Sequence, residues 1–346
     1  MNTREVDEYR LLDEKLPGSS CFKTRIALNN FDKYIIQYVE RKGLSENSVN
    51  AEGLKFESIQ MKKINHPYIQ KCFKLKEKSV LIKNKSKIPI TYGIYEYVGK
   101  YDLFDLISKN SGIPEEMAIY YLKQMAGALK YLHENKIYHR NIKVENFLVN
   151  DNFTQVKMKG LKYSSEKNYH LDHNVIGTKY YIAPEVLKQL EYMSEEIDIF
   201  SLGVTVFIMI YGKPPFLSAS KNDKSYKLII EKNFEEFWKL VESKNAKNIS
   251  TELKDLIFSM LSYDALDRPT AKLILENLLF QSIENKISPA LLKMQYRSSL
   301  DEKKANTTNS SSSSPSNNSA LINSFDFKNP FSTELEIPLG VVSPLR

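Results

Sequence analysis

The chain has 346 residues, 42% hydrophobic and 26% charged, with 49 Lys and Arg against 42 Asp and Glu and a net charge of +7. That length exceeds one typical core, so a large two-lobed domain with an appendage is expected; basic residues scattered among nearly as many acids read as a solvated surface, which argues against a nucleic-acid or membrane-binding face. With only Cys21 and Cys72 there is no disulfide framework or cysteine zinc site, and MNTREVDEYR lacks an apolar signal core, so a reducing, cytoplasmic setting is expected.

Tyr9 to Val39 alternates apolar and polar residues between turn signals, the pattern of a strand-rich unit. Its first turn reads LPGSSCFKT, and YIIQYV follows at Tyr34 to Val39. In ESIQMKKINHPYI, Met61 stands one helical turn beyond Glu57 and is expected in the core. IYEYVGKYDLFD spans Ile94 to Asp105 as a connecting strand. Pro114 opens a helix in which Ala118, Tyr121, Leu122, Met125, Leu129 and Leu132 recur near the 3.6 period. The helix leads into YHRNIKVENFLV at Tyr138 to Val149, then VKMKGLKYS at Val156 to Ser164. His170 and His173 flank Asp172 at a spacing open to a metal, but no second cluster supports one and they are read as loop residues. The longest apolar run, Leu202 to Tyr211, falls short of the roughly 20 residues that cross a bilayer and reads as a buried helix. Beyond Gln281 the composition shifts. Lys303 to Ser319 is dominated by Ser, Asn, Thr and Lys, cannot bury enough surface to offset chain entropy, and is expected to be disordered. Phe325, Phe327 and Phe331 then offer aromatic anchors for docking on a partner or back on the folded domain, and Ser314 and Ser343 each precede a proline and are candidates for phosphorylation.

Five stretches in fixed order carry a family resemblance: YHRNIKVENFLV; GTKYYIAPE at Gly177 to Glu185; DIFSLGV at Asp198 to Val204; GKPPF at Gly212 to Phe216; LDRPT at Leu266 to Thr270. The set resembles the eukaryotic serine/threonine protein kinase domain, whose catalytic loop reads H-R-D-L-K-x-x-N. GKPPF and HPYI are nearest the calcium/calmodulin-dependent class, although no calmodulin-binding helix is evident and calcium control does not follow. The resemblance covers about Tyr9 to Phe280. It implies an α+β, bilobal fold: a small β-rich lobe with one regulatory helix over about 9–95, a hinge at 96–99, a mainly helical lobe over 100–280, and a low-complexity tail over 281–346. It also implies that Asp198 accepts hydrogen bonds from the catalytic-loop amides, that Arg268 pairs with Glu185, and that Arg140 pairs with a phosphorylated Ser164, Ser165 or Tyr169.

The chemistry implied by the same resemblance is damaged at three places. The catalytic positions are Asn141, Lys143 and Asn146, with Asn141 where the family holds its aspartate base; an amide offers no comparable basic site. The nucleotide positions are Gly18, Lys23, Gln37, Glu57, Glu96, Val98, Asn146 and Gly160. Gly18 is the one glycine left in the phosphate-loop stretch, and a gapless match puts Pro17, Ser19 and Phe22 at the three glycine positions. Gln37 replaces the phosphate lysine, leaving Glu57 without its usual partner, and Ile35 replaces a small alanine over the base. Tyr95 is the gatekeeper, with Glu96 to Val98 presenting backbone groups. Gly160, Leu161 and Lys162 replace the Asp-Phe-Gly metal motif, so no metal ligand is assigned: ATP is the nucleotide implied, with magnesium only weakly provided for. Lys23 is one conceivable substitute for the missing lysine. Loss of a general base alone typically costs about 10²- to 10⁴-fold. The expectation is a pseudokinase acting as scaffold or allosteric regulator in phosphorylation signalling, its partners proteins such as active kinases or their substrates. The alternatives are a weak or atypical ATP-dependent serine/threonine kinase, for which retained Lys143, Asn146, Glu57 and Thr178 speak, and a nucleotide-binding regulator without transfer.

Overall fold

The computed structural model describes residues 4–16, 22–41, 49–171, 175–245 and 247–284. Its small lobe is a closed barrel of β1 (Arg4–Val6), β2 (Tyr9–Lys15), β3 (Lys23–Asn29), β4 (Asp32–Glu40), β5 (Cys72–Lys83) and β6 (Ser86–Glu96). The order is β1-β2-β3-β4-β6-β5, with β1 returning to pair with β5. Strand β1 precedes the Tyr9 at which the alternation begins; three residues are too few to show a period. Asp7 turns the chain from β1 to β2 at φ +49°. Its carboxylate accepts from Lys76 Nζ (2.7 Å), Ser79 Oγ (2.9 Å) and Tyr92 Oη (2.5 Å), which ties the closing strand to β5 and β6.

Successive side chains of a strand point to opposite faces. Along β4, Tyr34, Ile36 and Tyr38 serve the barrel interior with Ile90 and Tyr92, while Ile35 and Val39 join the core shared with the large lobe. Gln37 is on this second face. Helix α1 (Val49–Lys62) packs against β4, β5 and β6, with Leu54 fully buried and Met61 buried as expected from its place one turn beyond Glu57.

The large lobe holds α2 (Leu103–Asn110), α3 (Glu115–Glu134), α4 (Pro184–Leu187), α5 (Ser194–Tyr211), α6 (Lys224–Ile230), α7 (Phe234–Ser243), α8 (Thr251–Met260), α9 (Ala271–Leu275) and α10 (Leu279–Glu284). Helix α3 starts after Pro114, and all six apolar residues of its expected stripe are buried, each contributing roughly 1.5–3 kcal/mol for the larger side chains. Helix α5 is buried on nearly every side and contains the apolar run at Leu202. Among the described residues no helix is long and apolar enough to cross a membrane.

Two small sheets frame the cleft: β7 (Tyr101–Asp102), β8 (Phe147–Val149) and β9 (Val156–Met158), and the pair β10 (Tyr169–His170) and β11 (Tyr192–Met193). Strand β6 runs to Glu96 and β7 begins at Tyr101, so the hinge expected at 96–99 falls at the end of β6 and in the link that follows it. Gly18, Pro17, Ser19, Cys21, Asp172, His173 and the tail with Ser314, Phe325, Phe327, Phe331 and Ser343 lie outside the described residues.

Candidate functional site

The loop before β8 is shaped by one carboxylate. Asp198, fully buried on α5, accepts from the backbone N–H of His139 (2.8 Å) and Arg140 (2.7 Å) and contacts His133 Nε2 at 3.1 Å. Those bonds hold Arg140 at φ +62°, a conformation that costs an L-residue roughly 1–2 kcal/mol. His139 Nδ1 accepts from Asn141 N at 3.2 Å, so its Nε2 carries the proton given to Lys159 O at 2.9 Å. Burial pushes the His139 pKa down and keeps the ring neutral.

On this frame Lys143, Thr178 and Asn141 form a chain. Lys143 Nζ donates to Thr178 Oγ1 at 3.1 Å, and Thr178 Oγ1 donates to Asn141 Oδ1 at 3.1 Å. Asn146 Nδ2 donates to Asn141 O at 2.8 Å. The expected catalytic positions are therefore assembled, and the amide oxygen of Asn141 serves as an acceptor. It does not serve as a base, because a neutral amide has no proton affinity to match a carboxylate at neutral pH.

The cleft above it is narrow among the described residues. A space of about 20 Å³ remains, bounded by Leu16, Thr24, Ile35, Gln37, Gln70 and Lys159 among others; this is room for about one water. Thr24 and Gln37 are register partners of β3 and β4, and Thr24 Oγ1 and Gln37 Oε1 are buried without a hydrogen-bond partner. Gln70, 2% exposed, donates from Nε2 to the backbone oxygen of Glu96 at 2.8 Å, so this hinge acceptor is taken up by the chain's own amide. The Glu96 carboxylate bonds Lys157 Nζ at 2.6 Å, and Val98 is buried beside it in the hinge. Sequence reasoning missed Gln70. Its signal was a polar residue directly after the apolar Ile69, but only the fold shows what it reaches.

Lys23 is not in the cleft. It shares the barrel-interior face with Arg25 and Ala27, opposite to Thr24, and at the solvent-exposed strand end its Nζ pairs with Glu40 Oε1 at 2.5 Å. Strand parity removes it from the candidate phosphate cations.

Gly160 stands at φ +88° before a 3-10 turn at Leu161–Tyr163. A Cβ built there would lie 2.7 Å from Asn146 Oδ1 and 2.9 Å from its Cγ, so the position admits glycine and little else. Lys162 projects across to α1, where a Cβ on Gly53 would lie 3.2 Å from its Cε. Among the described residues no three His, Cys, Asp or Glu side chains cluster as a metal site. ATP with magnesium, the pair the fold family implies, does not fit these residues: the hinge oxygen is engaged, the cavity is water-sized, and position 160 offers no carboxylate. Asp102, at the start of α2, is pushed up to about 7 by burial, against the pull of Lys159.

The large lobe's braces are intact. Arg268 grips Glu185 with two bonds of 2.7 and 2.8 Å, donates from Nε to Ser262 O and from Nη1 to Glu196 O, and lies 4.9 Å from the Phe200 ring centroid. Arg140 Nη2 donates to Tyr192 Oη at 3.1 Å. Of its three expected phosphate partners, Ser164 is buried with its hydroxyl on Leu161 O, and Ser165 is paired by its backbone to Tyr138. Tyr169 is 53% exposed, with its hydroxyl donating to the Glu191 carboxylate.

The sequence profile described as "Protein kinase domain" matches residues 20–280. The chain is 30% identical over 291 residues to calcium-dependent protein kinase 5 of Plasmodium falciparum, covering 82% of this chain and 48% of that protein. It is 30% identical over 274 residues to CBL-interacting serine/threonine-protein kinase 18 of Arabidopsis thaliana, covering 77% and 48%. It is 28% identical over 298 residues to a probable myosin light chain kinase of Dictyostelium discoideum, covering 84% and 58%. The chain thus spans about half the length of the relatives it matches.

Proposed function

We propose that this chain, which belongs to the protein kinase domain family and has serine/threonine kinases among its relatives, is a pseudokinase: a regulator or scaffold in phosphorylation signalling that works by holding protein partners. The observation that carries this reading is the coincidence of three replacements in one cleft. Asn141 stands at the base, Gln37 at the phosphate lysine and Gly160 at the metal carboxylate, while Asp198, Arg268 and Glu185 keep the lobe assembled. Phosphoryl transfer rests on positioning and charge stabilisation, and each replaced group supplied one of these. A cytoplasmic setting, and partners that are kinases or their substrates, belong to the same proposal.

A second reading, a weak or atypical ATP-dependent serine/threonine kinase, is favoured by the unbroken chain from Lys143 through Thr178 to Asn141. One assay separates them. Purified protein is incubated with labelled ATP, magnesium and a generic serine/threonine substrate, beside an active kinase as positive control. The expected result is no transfer above background; robust transfer by the natural chain ends the pseudokinase reading.

A further inference from the structure

We infer that Lys162 supplies from the large lobe the cation that β4 lacks: its ammonium pairs with Glu57 and holds α1 in its place over the cleft. Glu57 is only 4% exposed, and a carboxylate so deeply placed is costly unless paired or hydrogen-bonded. The phosphate-lysine position on β4 is Gln37, which carries no charge. Lys162 instead leaves the 3-10 turn after Gly160 and runs along α1, its Cγ, Cδ and Cε all within 3.7 Å of where Gly53 would carry a Cβ. Gly53 and Glu57 are four residues apart and so share one face of the helix. The ammonium lies one bond beyond Cε, which itself would be 3.2 Å from a Gly53 Cβ, and so within reach of that face. Its flanks are aromatic: Nζ is 5.9 Å from the Phe22 ring centroid and 5.1 Å from that of Tyr163, an arrangement that suits a cation.

Gly53 supports the same assignment. A glycine inside a helix weakens it relative to alanine, yet one stands in the middle of α1, at the point where the lysine stem crosses. A Cβ there would meet Lys162 Cε at 3.2 Å, so the missing side chain opens the path.

The consequence is a change of tether. An active kinase positions its regulatory helix through a lysine on a neighbouring strand of the small lobe. Here the lysine comes from the other lobe, so the pair joins α1 to the large lobe and needs no nucleotide. Lys162 is a positioning residue, and the pair holds whether or not the chain transfers phosphate.

The test uses the full chain and reads the helix. Hydrogen exchange of residues 49–62 and the thermal midpoint are measured for Lys162→Met, which keeps the stem without the charge, Lys162→Arg, Glu57→Gln and the double variant Lys162→Met with Glu57→Gln. Expected are at least tenfold faster exchange in α1 for each neutralised variant, near-natural exchange for Lys162→Arg, and a double variant no worse than either single one. Gly53→Ala should lower the midpoint in the natural chain and raise it alongside Lys162→Ala. Exchange within twofold of natural for Lys162→Met, or strictly additive single effects, overturns the pair; stabilisation by Gly53→Ala in both backgrounds overturns the path.

Discussion

Putting a side chain back at position 160 measures how far the cleft has moved from a metal site. At φ +88° any residue but glycine is strained, by roughly 1–2 kcal/mol for an L-residue in this region. The new Cβ would sit 2.7 Å from Asn146 Oδ1, so Asn146 must turn and give up its 2.8 Å bond to Asn141 O, a further loss of about 1 kcal/mol. Gly160→Ala should therefore destabilise by about 2–3 kcal/mol, or roughly 4–12 °C in thermal midpoint for a domain of this size. Gly160→Asp should fall at the lower end of that range, because aspartate visits the left-handed region more readily. Scanning calorimetry with urea denaturation reads both. If both variants melt within 1 °C of the natural chain, Asn146 is free to yield and the packing argument is wrong.

Three further outcomes follow from the geometry. In a thermal-shift series with ATP and magnesium, the natural chain should stay flat at millimolar nucleotide, whereas Gln70→Val with Ile35→Ala, which frees the Glu96 oxygen and enlarges the cavity, should rise as RT ln(1 + [L]/Kd); a clear rise in the natural chain refutes the narrow cleft. Arg268→Met strands the Glu185 carboxylate and should cost about 3–5 kcal/mol, while adding Glu185→Gln should recover part of it in a double-mutant cycle; simple additivity refutes the coupling. Burial raises the Asp7 carboxyl, but the bonds from Lys76, Tyr92 and Ser79 outweigh it and hold the pKa at about 2, below the 3.8 of the unfolded chain. The folded state binds its proton later, so the stabilisation is present above pH 3.8 and is lost as pH falls through about 2, amounting to about 1 kcal/mol once solvent screening is allowed for. Asp7→Asn should remove that part of the acid titration, and an unchanged acid limb in urea melts would count against it.

What could be read from the sequence was what a short string settles by itself. Pro114 with a 3.6-residue stripe gave α3, Met61 one turn beyond Glu57 went to the core, and the contacts of Asp198 and of Arg268 with Glu185 follow from motifs whose members always meet in this fold. The misses depend on where a side chain goes after it leaves its strand or turn. Lys23 and Thr24 are adjacent, and only the register of β3 against β4 decides which of them faces the cleft. Gln70 and Glu96 are 26 residues apart and meet because β5 and β6 fold back on each other.

Two of the replaced positions are in physical contact through Asn146, which donates to Asn141 O at 2.8 Å and lies against position 160. An ammonium at Lys162 would repel divalent cations, and Gly160, two residues before it, offers no carboxylate to hold one. A restored carboxylate at 160 would bring a Cβ to 2.7 Å from Asn146 Oδ1. Repairing a single position therefore leads to strain before it leads to catalysis. Under the proposed pseudokinase reading, phosphoryl transfer would require Gln37, Gln70, Asn141, Gly160 and Lys162 to change in concert.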